Sequence, residues 1–382
     1  MKGSKAEKAI EQLLNSADIQ INGARPQDIQ VHHSGFYERL LTGGTLALGE
    51  SYMDGWWDCE ALDRFFETII ENRVDEKARA VIKTIPRHIF KAMLVNAQSK
   101  SKAFIIGKHH YDLGNDLFSA MLDKGMNYSC GFWDQAENLD QAQDAKCELI
   151  CKKIGLKPGM RVLDIGCGWG GFARYAASRY QAEVYGVTVS REQAAYAKQC
   201  CDGLCTEFAL KDYRDVQDSF DAVVSIGMFE HVGYKNYRTY MEVVNRCLKP
   251  EGLFLLHTIG GRTSTKAVDP WIERYIFPNS MLPSAKQIAG AAEGLLVLED
   301  WHNFGLYYGK TLMAWYENFK SHWDDLKSKY DERFFRMWAY YLLSCAGSFR
   351  AKQNQLWQIV FSKNGLNGVF RTGDRYFNGC VY

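Results

Sequence analysis

Four glycines, Gly166, Gly168, Gly170 and Gly171 in V-L-D-I-G-C-G-W-G-G (162–171), mark the place where this chain could hold a nucleotide-like ligand. Glycine has no Cβ to keep a ligand off the backbone, and it accepts the sharp conformations of a strand-to-helix turn. Val162, Leu163 and Ile165 ahead of the turn predict a buried strand. A helix starting behind it would aim free N–H groups at the ligand. The spacing fits G-x-G-x-x-G, which nicotinamide enzymes also use, so the turn alone leaves the cofactor open.

Residues further on narrow the choice. A nicotinamide dehydrogenase needs an acidic residue at the end of the second strand to hold the ribose hydroxyls, and here V-T-V-S puts Thr188 or Ser190 there, with Gln193 just beyond. Asp164, two residues before the first glycine, has instead the placement seen in S-adenosylmethionine-dependent methyltransferases. The loop after the third strand, K-D-Y-R-D, supplies Asp212 and Tyr213, residue types that suit an adenine amine and an adenine face.

The elements that must position these groups alternate along the chain. After a helix at about 139–154 and the opening strand, A-E-V-Y-G-V-T-V, C-T-E-F-A-L-K-D, F-D-A-V-V-S-I and G-L-F-L-L-H-T-I read as the second to fifth strands. This predicts an α/β fold with a parallel, doubly wound, Rossmann-like sheet whose ligands sit at the strand C-termini. L-L-V-L-E-D-W-H and L-W-Q-I-V-F-S read as closing strands, with aromatic-rich helices at about 309–323 and 331–353. Before all this, Ala9, Ile10, Leu13 and Leu14 have helical spacing and S-Y-M-D-G-W-W-D-C follows, together suggesting a small α+β module. The predicted partition is an N-terminal domain over 1–95, a polar linker over 96–102 and a catalytic domain over 103–382.

The 382-residue chain has a net charge of +1, so no global field recruits nucleic acid. Its 11 cysteines are odd in number and contain no C-x-x-C pair, and the N-terminus does not resemble a signal peptide. Free thiols in a reducing cytoplasm are the expectation. No His, Cys, Asp or Glu spacing suggests a metal site. No apolar run approaches the ~18 residues of a membrane span, so any membrane contact is expected to be peripheral. One local asymmetry stands out: from Lys77 to Lys108 there are eight Lys or Arg and no acidic residue. Lys83, Arg87 and Lys91 recur opposite Val81, Ile85, Ile89 and Met93, with Pro86 at the start or kink of the helix. That reads either as a face that docks on anionic headgroups or as the solvated side of a core-packed helix.

Taken together, Y-D-L-G-N-D-L-F (111–118), Y-S-C (128–130), the glycine turn, G-V-T-V-S-x-x-Q (186–193), G-M-F-E-H-V-G (227–233), L-L-H-T-I-G (255–260), W-H-N-F-G to L-M-A-W-Y (301–316) and C-A-G-S-F-R (345–350) resemble the bacterial cyclopropane-fatty-acyl-phospholipid synthases. The resemblance spans nearly the whole chain, S-Y-M-D-G-W-W included. It implies a class I methyltransferase domain that transfers a methylene carbon from S-adenosylmethionine to a cis double bond in a phospholipid acyl chain. It also implies a homodimer, peripherally attached to the inner face of the cell membrane. A related lipid methyltransferase giving methyl-branched or hydroxylated chains is the alternative.

The resemblance further implies that a bound bicarbonate ion is the base. Cys130, Glu230, His257, the Ile259 backbone and Tyr308 match its holders. Glu230 can accept an O–H, while His257, Tyr308 and a backbone N–H can donate. Tyr128, Ser129, Asp164, Gly166, Gly168, Thr188, Gln193, Asp212 and Tyr213 are implied for the methyl donor. Tyr275, Phe277, Trp315 and Tyr316 are candidates for an aromatic wall around a carbocation. His231, next to Glu230, reads as structural or as a support behind the residues that touch the ligand. Cys345 matches a cysteine given an active-site role in the family, although an alkene attacking a sulfonium needs no thiolate.

Overall fold

The computed structural model describes residues 4–81 and 114–371, which gather into two compact units. Of the described residues, the first unit holds 4–81, 266–278 and 308–354; the second holds 114–265, 279–307 and 355–371.

Helix α1 (Lys5–Asn15) starts at a capping box in which the Ser4 hydroxyl accepts from the Glu7 N–H and the Glu7 carboxylate accepts from the Ser4 N–H, and it buries Ile10 and Leu14. Then come α2 (Phe36–Met53), α3 (Leu62–Glu71) and α4 (Val74–Val81), with a ribbon of β1 (Gln30–Val31) and β2 (Trp57–Asp58). Helices α5 (Asn115–Met121) and α6 (Leu139–Lys153) precede the alternating segment. That segment runs β3 (Arg161–Ile165), α7 (Gly171–Tyr180), β4 (Glu183–Thr188), α8 (Arg191–Cys200), β5 (Thr206–Leu210), β6 (Phe220–Ile226), α9 (Tyr237–Cys247) and β7 (Leu248–Gly261). Beyond it lie α10 (Pro270–Tyr275), α11 (Ala285–Ala292), β8 (Val297–Asn303), α12 (Leu306–Ser321), α13 (Trp323–Leu326), α14 (Glu332–Arg350) and β9 (Asn354–Ser362).

The seven-stranded sheet has the order β5-β4-β3-β6-β7-β9-β8. The pairs from β5 through β7 are parallel, and β8 runs antiparallel to β9. Alternation sends Leu163 and Ile165 into one core cluster and Val162 into the other, so β3 is covered on both faces. From β3 the chain steps outward to β4 and β5, then returns to build β6 and β7 on the other side. The topological switch point therefore lies between β3 and β6, where open α/β sheets bind ligands. The doubly wound α/β expectation holds, with an antiparallel closing pair added.

The predicted partition into 1–95 and an unbroken 103–382 is corrected. Segments 266–278 and 308–354 belong with the N-terminal helices, and the reasons are visible at α14. A Cβ on Gly347 would lie 2.4 Å from the Asp63 carbonyl oxygen and 2.7 Å from the Glu67 nitrogen, so only glycine lets α14 come this close to α3. One turn on, Arg350 forks to Asp63 (2.6 Å) and Glu67 (2.8 Å). Arg336 bonds the Trp57 carbonyl (2.9 Å) and Asp58 (2.6 Å), with its guanidinium 4.2 Å over the Tyr52 ring. C-A-G-S-F-R thus packs on α3, while Arg336, earlier on the same helix, reaches S-Y-M-D-G-W-W-D-C. The helix predicted around Lys83, Arg87 and Lys91 and the linker 96–102 lie outside the described residues. No helix among the described residues is long and apolar enough to cross a membrane.

Gly347→Ala is expected to destabilise the first unit by about 2 kcal/mol through overpacking. The urea midpoint of tryptophan fluorescence measures this, and an unchanged midpoint would mean that α3 and α14 part without cost.

Candidate active site

The glycine turn is built as its residue types require. Gly166, Gly168 and Gly170 have φ of +81°, +53° and +84°, in the left-handed region. The Gly166 and Cys167 N–H groups both donate to the Val187 carbonyl, at 2.9 and 3.1 Å, tying the turn to β4. A Cβ on Gly166 would come within 2.6 Å of the Met228 side chain, which follows β6, so this glycine closes the switch point. At Gly168 a Cβ would meet nothing within 4 Å, leaving the open space a ligand needs. Asp164 is 1% exposed, and its Oδ1 has no partner. Burial raises its pKa to about 7, against the pull of the Lys146 ammonium.

Around the turn the structure brings some predicted residues together and commits others elsewhere. The Thr188 hydroxyl donates to Gln193 Oε1 at 3.0 Å and accepts from the Ser190 N–H at 3.2 Å, while Ser190 caps α8. These two residues form one buried pair at the end of β4. Asp212 is engaged by Arg214, whose guanidinium donates to both carboxylate oxygens at 2.8 Å. The Tyr213 ring is buried, 5.0 Å from Tyr240, and Arg214 lies 5.2 Å over it. Asp212 and Tyr213, the residues expected to suit an adenine amine and face, are both steadied by Arg214 in this way. A two-residue spacing lets Arg214 reach both.

Ser129 is held by a group the sequence did not single out. Lys146 on α6 is fully buried, and its ammonium donates to Ser129 Oγ (2.9 Å) and Gln143 Oε1 (2.7 Å), while the Gln143 amide donates to the Ser129 carbonyl (2.8 Å). A buried lysine survives only when its donors find acceptors. The Phe118 ring meets Tyr128 edge-on at 5.2 Å. A Cβ on Gly227, just after β6, would lie 3.7 Å from Ser129 Cβ, so the Tyr128–Cys130 stretch passes close to the turn that carries Glu230.

Glu230 sits in a short 3-10 turn after β6, and His257 lies opposite Ile226 on β7. The Ile259 N–H donates to Glu230 Oε1 at 2.7 Å, and the Met281 N–H to the Glu230 carbonyl at 2.7 Å. The Ile259 N–H, expected to hold a bound anion, is thus engaged in fixing the carboxyl. Glu230 Oε2 has no partner, and burial raises the pKa of the group to about 7 despite the Ile259 bond. His257 is 1% exposed; its Nδ1 lies 3.3 Å from the Gln358 amide nitrogen, and its Nε2 has no partner. Burial, with Lys146 and Lys153 adding to it, holds this ring neutral well below the usual imidazole range. Burial alone lowers His231 to about 4. Cys130 is wholly buried, with its thiol 3.2 Å from the Gly131 carbonyl.

Tyr308 and Cys345 belong to the first unit. Tyr308 packs on Phe349 at 4.4 Å and edge-on to Trp315 at 6.0 Å. Burial pushes the Cys345 thiol up to about 12, so no thiolate nucleophile forms there near neutral pH. Tyr275, Phe277, Trp315 and Tyr316 are also in the first unit, with Tyr275 donating to Glu50 at 2.9 Å.

A family model for mycolic acid cyclopropane synthetase matches residues 98–359. The chain belongs to this cyclopropane synthetase family. It is 56% identical over 358 residues to the cyclopropane-fatty-acyl-phospholipid synthase of Escherichia coli K12, covering 94% of each chain. The solved cyclopropane synthase MmaA2 of Mycobacterium tuberculosis superposes with a TM-score of 0.64 at 31% identity, over 68% of this chain and 98% of that one. Mycolic acid cyclopropane synthase CmaA1, solved with SAH and CTAB, gives the same TM-score at 30% identity, over 68% and 98%. As a cyclopropane synthetase with this fold, the chain is an S-adenosylmethionine-dependent methyltransferase. The open space at Gly168 and the partnerless Asp164 Oδ1 are compatible with such a ligand at the turn.

In this cyclopropane synthetase Glu230 keeps its proton up to about pH 7 when folded, against an ordinary value of 4.5. The associated stability is full below pH 4.5 and is lost as pH rises through about 7. Glu230→Gln is therefore expected to exceed the wild type by about 3 kcal/mol at pH 8 and to match it at pH 4. Thermal midpoints at the two pH values check this, and a difference that does not grow with pH would count against a buried, proton-bearing Glu230.

Proposed function

We propose that this synthetase transfers a methylene group from S-adenosylmethionine to the cis double bond of an unsaturated phospholipid acyl chain, leaving a cyclopropane ring. The observation that carries the reading is the pair of partnerless polar atoms, Glu230 Oε2 and His257 Nε2, buried where β6 and β7 end, beside the glycine turn. The 56% identical relative named for this activity supports the choice of substrate.

An alkene needs no base to begin. Its π electrons attack the sulfonium methyl, the carbon–sulfur electrons stay on sulfur, and a carbocation is left on the chain. A proton then leaves the transferred methyl, and the freed C–H electron pair closes the three-membered ring. The protein's work is to align the partners, exclude water from the cation and accept the proton. Glu230 and His257 fit a small acid–base group, since one can accept an O–H and the other donate an N–H. A bound bicarbonate, with Cys130, Glu230 and His257 among its holders, would supply a base small enough for an apolar tunnel.

The acyl chains arrive from a bilayer, so the protein works at the inner face of the membrane, as a homodimer. The basic stretch from Lys77 to Lys108 is the proposed headgroup contact.

Incubation with methyl-labelled S-adenosylmethionine and vesicles of unsaturated phospholipid should move label into the lipid. Glu230→Gln should keep S-adenosylmethionine affinity within about twofold and lose turnover by about 100-fold or more. No transfer under conditions that retain cofactor binding would overturn the reading. Replacing Lys83, Arg87 and Lys91 by Ser should weaken sedimentation with anionic vesicles most strongly at low salt; unchanged sedimentation would return that stretch to a solvated helix face.

A further inference from the structure

Gln358 is the polar residue at the centre of a buried strand. Its neighbours on β9, Leu356, Trp357, Ile359, Val360 and Phe361, are apolar, and Gln358 itself has no exposed surface. A primary amide placed there loses its water and must be bonded or bear the cost. The structure shows one bond: the amide nitrogen lies 3.3 Å from Nδ1 of His257 on the adjacent strand β7, while the amide oxygen has no partner. Of the two amide atoms, only the nitrogen is engaged, so the N–H is the group that acts on its surroundings.

That N–H has a chemical consequence. An imidazole nitrogen that accepts a hydrogen bond carries no proton, so in a neutral ring the proton sits on the other nitrogen. With Nδ1 accepting from Gln358, Nε2 bears the hydrogen and His257 enters the site as a donor. If the amide turned by half a revolution, its oxygen would require Nδ1–H, and Nε2 would become a bare lone pair able to take a proton itself. The two forms do opposite things: a donor holds an acid–base group in place, whereas an acceptor replaces it. When Glu230 is ionised and so only accepts, the first form gives the site one donor and one acceptor, and the second gives two acceptors.

We infer that Gln358 is a positioning residue that fixes His257 as its Nε2–H tautomer, so that His257 holds a small oxygen-bearing base instead of serving as the base. The inference rests on the reading of the site proposed above and deepens it.

Long-range proton–nitrogen spectra of the 15N-labelled full chain, with His257→Asn identifying the signal, read the tautomer directly. The wild type should show Nε2 protonated and Nδ1 bare. Gln358→Met, similar in length but without the donor, should lose the single fixed form and raise the half-saturating bicarbonate concentration about tenfold, with S-adenosylmethionine affinity within about twofold. A protonated Nδ1 in the wild type, or an unchanged tautomer and bicarbonate response in a folded Gln358→Met, would overturn the assignment. If the Nε2–H form is found but turnover ignores bicarbonate, the tautomer assignment stands and the base named above falls.

Discussion

The site depends on desolvation that the fold does not relieve. A carboxyl and an imidazole each keep one buried atom without a protein partner, at Glu230 Oε2 and His257 Nε2. Leaving such groups unpaired costs roughly 1–3 kcal/mol each, and a chain tolerates that only when the surrounding backbone holds them firmly. It does so here with two main-chain bonds, Gly227 N–H to the His257 carbonyl and Met281 N–H to the Glu230 carbonyl, and with a third from the Ile259 N–H to the Glu230 carboxyl. Each joins a strand end or turn to the next, so the switch point and the chemistry are one piece of backbone.

The same burial sets the protonation states. Without solvent the carboxyl holds its proton to about pH 7 and the imidazole stays neutral. The two buried lysines of α6 are seven residues apart on one helix, and each has its own partners: Lys146 bonds Ser129 and Gln143, and Lys153 bonds Asp300 at 2.7 Å. Their charges are satisfied locally while still opposing a proton on His257. A neutral imidazole and a carboxyl that titrates near neutrality are thus products of the same burial.

Much of this was legible in the sequence because it followed period and residue type. Strand β3 announced itself as an apolar run closed by glycines, and the alternation through β7 gave the doubly wound sheet. Glu230 and His257 became visible only inside longer motifs, since neither has a local signature. The sequence could not show Lys146 or Gln358: a lysine on a helix normally reads as solvated and a glutamine in a strand as an edge residue, and only tertiary packing buries them. The bond from Arg214 to both Asp212 oxygens is local, two residues apart, yet residue type alone does not announce it. The continuous catalytic domain failed because nothing local in α14 reveals that Gly347 and Arg350 face α3.

That last arrangement bears on how the polypeptide acquires its shape during synthesis. Arg350 and Asp63 meet although 287 residues separate them, and Phe66 packs its ring on Tyr340 at 5.2 Å. Strands β3 to β7 find all their mutual pairings within residues 161–261 and can assemble as that stretch leaves the ribosome. The N-terminal helices emerge first yet must wait for α14 to cover their aromatic side chains. Such high contact order slows folding and leaves apolar surface open to chaperones or to aggregation in the interval.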